Sequence, residues 1–487
     1  MKIHWLIVIG LFESTAFAQT IRTDVERLLH HQGAVMNAID LDQMGLSRAK
    51  TPTQPWTSSY WPDTVGGIAT RYGRKTVLGQ KIDTVLNYGW NKGQWKDKNY
   101  RLKKNVLSFS EDEIAQKLSP AEKYDLLMGD MDFTLTNNIV AEIDYRFDHK
   151  LDWKTGVWSE QKGMSTWVGI CDGWTVASLH TPRPVRAVRV RGATGQMVTF
   201  YPDDLKALVS HLYARTNQWL GIERVGNRCE KRSAGRDELG RPKDSDCRDV
   251  DAGLWHTTVM NRIGIDHRGF VIDVDNNNKV NNHPVFGYEA QYFNPLTGKF
   301  DSIQKSIVPI DQVVDRKSEL FHPDATHMVG VKMTVTMLDY DWPTGEEVDS
   351  RAYDKLRTTT YVYALEMNSQ GEVLGGEWQS QGKKFLFFGD NSEKQPDMLW
   401  MIAPYQLAWS LTSNKADEGP AIDPKKFEIW GNIDWRFKGD GKIPADWYYA
   451  NRDAARFAWP KAAPFSMVTS AHPLAEMVYY LMDRARE

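Results

Sequence analysis

A thiol, an imidazole and a carboxylate can together run acyl transfer: the thiolate attacks a carbonyl, the imidazole moves the proton, and the carboxylate holds the imidazole in one tautomer. The 487-residue chain offers three cysteines and twelve histidines for this chemistry. Cys171 lies in STWVGICDGWTVASLH, an apolar approach followed by ten residues that suit a short helix ended by Thr181 and Pro182. That pattern puts the thiol at a helix N-terminus, where backbone N–H groups favour a thiolate and can donate to an oxyanion. Cys229 and Cys247 bracket a polar segment, CEKRSAGRDELGRPKDSDC, and a disulfide between them is expected to tie it down, which leaves Cys171 as the thiol.

A base is needed, and His256 is the candidate because it interrupts GLWHTTVMNRIG, which reads as an apolar strand. The chain then passes through IDHRG to a second strand, GFVIDVD, that carries Asp273 between apolar residues. Paired as an antiparallel hairpin, the two strands are expected to set Asp273 beside His256. Asp275 shares the face of Asp273, and Asn282 can play the orienting part that asparagine plays elsewhere; spacing leaves the three open. Trp167 and Trp174 flank Cys171 and are candidates to wall the site and exclude water.

The elements that must position these residues fall into five stretches. Residues 1–18 carry Lys2, an apolar run from Trp5 to Phe12, and Ala16 and Ala18 around Phe17, which reads as a secretory signal; a secreted protein is expected. Residues 19–110 are polar, with a helical stretch TDVERLLHHQGAVMNAIDL and a Trp/Gly/Lys-rich run, and read as an ordinary N-terminal subdomain, with a leader that covers the site as the alternative. Residues 111–320 mix helices such as LSPAEKYDLLMGDM, opened by Ser119 and Pro120, and DDLKALVSHLYART with strands such as GYEAQYFNP, an α+β catalytic core. Residues 321–405 change to period two in HMVGVKMTVTMLDY, TTTYVYALEM, GEVLGGEW and KKFLFFGD, a β-rich domain. Residues 406–487 close with a helix carrying Leu474, Met477, Val478 and Leu481.

Composition excludes several classes. The net charge of −3 gives no field for nucleic acid. No stretch approaches eighteen uninterrupted apolar residues, so no membrane anchor is expected. Zinc spacings, phosphate loops and dinucleotide fingerprints are absent. A non-catalytic binding protein is the rival from another class, resting on 19 tryptophans, but these are scattered through apolar stretches with no period.

The chain order Cys, His, Asp is shared by papain-like peptidases and transglutaminases. CDGW at 171–174, LSPAEKYDLLMGD at 118–130, GGEW at 375–378 and PDMLW at 396–400 resemble the transglutaminase elicitor family of water moulds and bacteria. VNNHPVFGYEA, from Val280 to Ala290, is similar to the peptide V-W-N-Q-P-V-x-G-F by which plants sense those enzymes. Asn281 and His283 depart from it, at the tryptophan and the glutamine. The resemblance spans residues 110–405 and implies a papain-like core, protein glutamine as acyl donor, lysine or another primary amine as acceptor, and calcium dependence in at least some members. Water as acceptor would give deamidation instead, and a peptidase would use the same triad. For calcium, DVDNNNKVNNHP begins like an EF-hand loop but has Asn278 at the turn glycine and Pro284 at the bidentate glutamate. Asp244, Asp246, Asp249 and Asp251 form a second acidic stretch.

Overall fold

The protein is described from a computed structural model, over residues 12–72, 76–77, 80–81, 106–151, 158–161, 163–216, 222–226, 250–274, 279–313, 321–379, 395–402, 436–456 and 470–486. Helices and strands are mixed throughout, as the α+β expectation required. The chain folds as two units. One takes Met1–Gln54, Ile222–Leu338 and Leu356–Met401, and the other takes Pro55–Gly221, Asp339–Lys355 and Ile402–Glu487. The expected boundary at residue 320 is therefore not a boundary: strand Asn282–Phe293, placed in the core, pairs with His327–Leu338, placed in the β-rich domain.

The first unit is built on a nine-stranded sheet whose described pairings are antiparallel. Its three longest strands, Asn282–Phe293, His327–Leu338 and Leu356–Met367, lie side by side, with Tyr288 opposite Val335 and Met333 opposite Tyr361. Alternation explains the packing: Val329, Val331, Met333, Val335 and Met337 all project into one core with Val25, Leu28, Trp255 and Val259. Met328, Val362, Ala364 and Leu374 belong to a smaller core closed by Phe293 and Ile310.

Against the sheet lies helix Ala252–Val259, continued by a wider turn over Met260–Ile265. This segment is the GLWHTTVMNRIG read as a strand. Every residue of Ala252–Val259 is buried, so it carries no polar stripe to give a 3.6-residue period, and an apolar run without a stripe reads equally as a strand. What makes it a helix is Asp251, whose Oδ1 accepts the Leu254 N–H at 2.9 Å as N-cap. The helix presses on strand Val373–Trp378 through glycines: a Cβ on Gly253 would come within 2.5 Å of the Gly375 carbonyl oxygen, and one on Gly376 within 2.8 Å of the Gly253 nitrogen. This is the structural use of GGEW. Its Trp378 donates to the Val250 carbonyl at 2.6 Å and meets the rings of Trp255, Tyr361 and Tyr363.

The second unit is mainly helical. Helix Pro120–Met128 begins as its sequence dictates, with Ser119 capping the Glu122 N–H, Glu122 returning to the Ser119 N–H, and Gly129 closing it at φ 75°. Thr134–Asp148, Cys171–His180, Pro202–Thr216, Ala445–Ala454 and Ala475–Arg486 complete the longer helices described, with a hairpin of Val188–Arg191 and Met197–Phe200. Met477, Val478 and Leu481 of the last helix are buried, as its stripe predicted.

At the N-terminus a helix runs Phe12–Leu29, past residue 18, and ends before His30 (φ 60°); a short second helix, Ala38–Gln43, starts at the Asn37 cap. The single helical stretch expected there is thus two. KKFLFFGD lies outside the described residues. Among the described residues no helix is long and apolar enough to cross a membrane.

Candidate active site

Cys171 is the first residue of helix Cys171–His180, partly exposed, and carries a thiol outside any disulfide. The Ile170 side chain makes no cap hydrogen bond, and Cys171 stands at the N-terminus of this helix, as the sequence predicted. Cys229 and Cys247 lie outside the described residues.

The helix is fixed by the segment Trp56–Asp63. The Trp174 Nε1–H donates to the Trp56 carbonyl at 3.0 Å, and the Trp56 Nε1–H donates to the Thr181 carbonyl at 3.3 Å, so one segment spans both ends of the helix. Immediately ahead of Cys171, the Ile170 N–H donates to the Tyr60 carbonyl at 2.8 Å, and the Asp63 N–H donates to the Val168 carbonyl at 2.9 Å. Gly173 admits helix Pro202–Thr216. Trp174 is fully buried and therefore belongs to this packing, a correction to its expected place on the site wall. Trp167, in the turn that leads to Cys171, is half-buried.

Two ion pairs in the same unit join partly buried arginines to the buried carboxylates of Asp63 and Glu142. Arg146 Nη1 is 2.7 Å from Asp63 Oδ2, and Arg215 Nε is 3.0 Å from Glu142 Oε1. Neither approach has hydrogen-bond alignment, so these are pairs held by charge. Burial alone would pull the Arg146 guanidinium down; Asp63, Glu142 and Asp172 overcome it and hold the pKa above its ordinary value.

On the outer side stands Tyr60, whose hydroxyl donates to the Thr166 carbonyl at 3.3 Å. Burial, then the charges of Tyr340 and Cys171, push its phenol pKa up. Its ring meets Tyr340 edge to face at 4.9 Å between centroids and Trp342 at 6.4 Å. Sequence reasoning missed these three residues. Their signal was two loop segments, SSYWPD and DYDWPT, in which aromatic residues sit next to proline without any strand or helix period.

His256 and Asp273 belong to the other unit. His256 is fully buried on helix Ala252–Val259, its Nδ1 is 2.9 Å from the Tyr363 hydroxyl, and its Nε2 has no hydrogen-bond partner among the described residues. Burial pushes its pKa down to about 3. Asp273 is buried on strand Phe270–Asp273, where Oδ1 accepts the Asn281 N–H at 2.9 Å. The hairpin that was to join the two does not exist, because His256 is helical, and no hydrogen bond links them. Asp273 faces Asn282 and Met398 across the sheet instead, and Asn282 Oδ1 accepts the Trp400 Nε1–H at 3.1 Å. Asp275 lies outside the described residues.

His283, the departure from the plant-sensed pattern, is also buried: Nδ1 lies 2.9 Å from the Leu338 carbonyl and Nε2 is 3.1 Å from Arg357 Nη1. A carbonyl only accepts and a guanidinium only donates, so the ring is neutral with its proton on Nδ1.

For calcium, no group of three His, Cys, Asp or Glu among the described residues could hold a metal. Asp244, Asp246, Asp249 and Asp275 lie outside those residues, and Asp251 spends its carboxylate on the Leu254 and Gly376 N–H groups.

The transglutaminase elicitor family model matches residues 153–409, which include Cys171, His256, Asp273 and the GGEW strand. The chain belongs to the transglutaminase elicitor family. No curated protein matches it. Among solved structures, the crystal structure of the GP42 transglutaminase from Phytophthora sojae is similar at 19% identity and a TM-score of 0.47, over 79% of this chain and 90% of that chain.

Proposed function

We propose that this member of the family is an exported protein-glutamine γ-glutamyltransferase with Cys171 as nucleophile. The observation that carries the proposal is the position of that thiol, partly exposed at the uncapped head of a helix inside the family-matched segment. The helix end favours the thiolate. Its sulfur attacks the side-chain carboxamide of a protein glutamine; the C–N bond breaks and ammonia leaves with a proton, giving a thioester. A lysine amine then attacks the thioester carbonyl, an isopeptide bond forms, and the thiol is restored. First-turn N–H groups can hold the oxyanion in both steps. A papain-like core is part of the proposal, supported by a cysteine heading a helix in a mainly helical unit of a chain whose other unit is built on an antiparallel sheet. His256 and Asp273 carry no hydrogen bond to one another, and the proposal rests on Cys171 without them.

The test is incubation of the protein with a glutamine peptide and a labelled primary amine. Stoichiometric ammonia release with amine incorporation is expected, and its loss in Cys171→Ala. Ammonia without incorporation would make the protein a deamidase, and backbone cleavage a peptidase. Activity that persists in Cys171→Ala would remove the nucleophile assignment.

A further inference from the structure

Tyr340 and Trp342 keep 46% and 38% of their surface in solvent while both rings lie against Tyr60. They are not loose. The Asp341 N–H between them donates to the Ser58 carbonyl at 3.0 Å, and Tyr340 meets Tyr60 edge to face. Tyr60 in turn holds the backbone one residue ahead of Cys171 through its carbonyl, and a Cβ on Gly169 would fall 3.0 Å from its ring. A rigid aromatic surface is thus attached to the loop that delivers the nucleophile, with its outer rings left bare.

Resting on the transglutaminase reading of Cys171, we propose that Tyr60, Tyr340 and Trp342 form the wall that receives the acyl donor, selecting glutamines flanked by an aromatic or aliphatic residue. Charge favours the donor over the acceptor as occupant. A lysine arrives as an ammonium and calls for a carboxylate. The carboxylate within this surface, Asp341, is paired with Lys355 at 3.2 Å. What the wall offers is apolar area held by backbone hydrogen bonds, and such pre-organised aromatic contact suits a peptide side chain beside the reacting amide.

The experiment compares two glutamine peptides that differ only in the neighbour of the glutamine, leucine or serine. With the parent protein, the leucine peptide is expected to show a KM about five- to tenfold lower, the range one buried apolar side chain commands. Tyr340→Ala and Trp342→Ala should collapse that preference while leaving the KM of the amine in place. Both residues are exposed, so loss of folding is not the expected effect of either change. Binding of the fluorescent leucine peptide to Cys171→Ala protein, read by anisotropy, supplies a measure without chemistry, and Trp342→Ala in that background should weaken it by a similar factor. Equal KM for the two peptides, a shift in amine KM instead, or unchanged anisotropy would overturn the wall. Absence of amine incorporation alongside anisotropy that falls with Trp342→Ala would sink the transfer reaction and leave the wall standing.

Discussion

Gly173 lies against helix Pro202–Thr216 so closely that a Cβ on it would stand 2.1 Å from the Ser210 carbonyl oxygen and 2.6 Å from the Ala214 Cβ. The glycine of CDGW is therefore a packing requirement of the helix that carries the nucleophile. Backbone and a short alanine cannot swing aside as a lysine would. Gly173→Ala is expected to lower the unfolding free energy by about 3 kcal/mol, the upper part of the overpacking range, in urea denaturation monitored by tryptophan fluorescence. An unchanged midpoint would mean the two helices do not cross this tightly.

His256 predicts an acid limb. Its pKa is about 3 in the fold, from burial, against about 6.5 in an unfolded chain. Between those values the unfolded state binds the extra proton, so the stability present above pH 6.5 is lost progressively as pH falls toward 3. His256→Gln keeps a polar group near Tyr363 and removes the titration. Plotted against pH, its stability should fall less steeply over that window, by up to about 1.4 kcal/mol per pH unit for one proton. Parallel curves for parent and variant would show that the imidazole reaches water in the fold.

The same residue marks where the sequence was legible and where it was not. Local signals were read well: Ser119 and Pro120 announce a helix start, and the alternation from Val329 to Met337 announces a strand with one face in the core. Around His256 the helix is buried on every side, so periodicity was silent; the one cue was Asp251 ahead of the apolar run. Pairing between strands distant in sequence leaves no local trace, which is why the break at residue 320 was drawn through a single sheet. Of the candidate site, the Cys171 helix was visible because its ten-residue length and its terminators, Thr181 and Pro182, sit within twelve residues of the cysteine. Tyr60 and Tyr340 were not, since their contact joins two loops far apart in the chain.

Asp251 gives a slope of the opposite sign. Burial raises its carboxyl to about 6 from 3.8, although the Leu254, Gly376 and Gly253 N–H groups pull it down. The folded state therefore holds the proton more tightly. Its contribution is complete below about pH 4 and is lost as pH rises through 6. Asp251→Asn keeps an oxygen to cap the Leu254 N–H without a charge to desolvate. The variant should hold its stability from pH 4 to 6 relative to the parent; an identical profile would mean the carboxylate is well solvated.

Asp63, bonded through its backbone to Val168 ahead of Cys171, and Arg146 can be tested as a pair. Asp63 is 1% exposed and Arg146 Nη1 stands 2.7 Å away, so each charge is tolerable because the other is present. Arg146→Met strands a buried carboxylate, and a loss of about 3–5 kcal/mol is expected, as for other buried pairs broken on one side. Asp63→Asn added to that variant removes the stranded charge while keeping the side chain's shape, so more than half the loss should return. The double-mutant cycle then reads a coupling of at least about 2 kcal/mol. Additive losses would mean that the guanidinium is balanced mainly by Glu142, 3.9 Å away on its own helix, and that Asp63 finds its compensation in water.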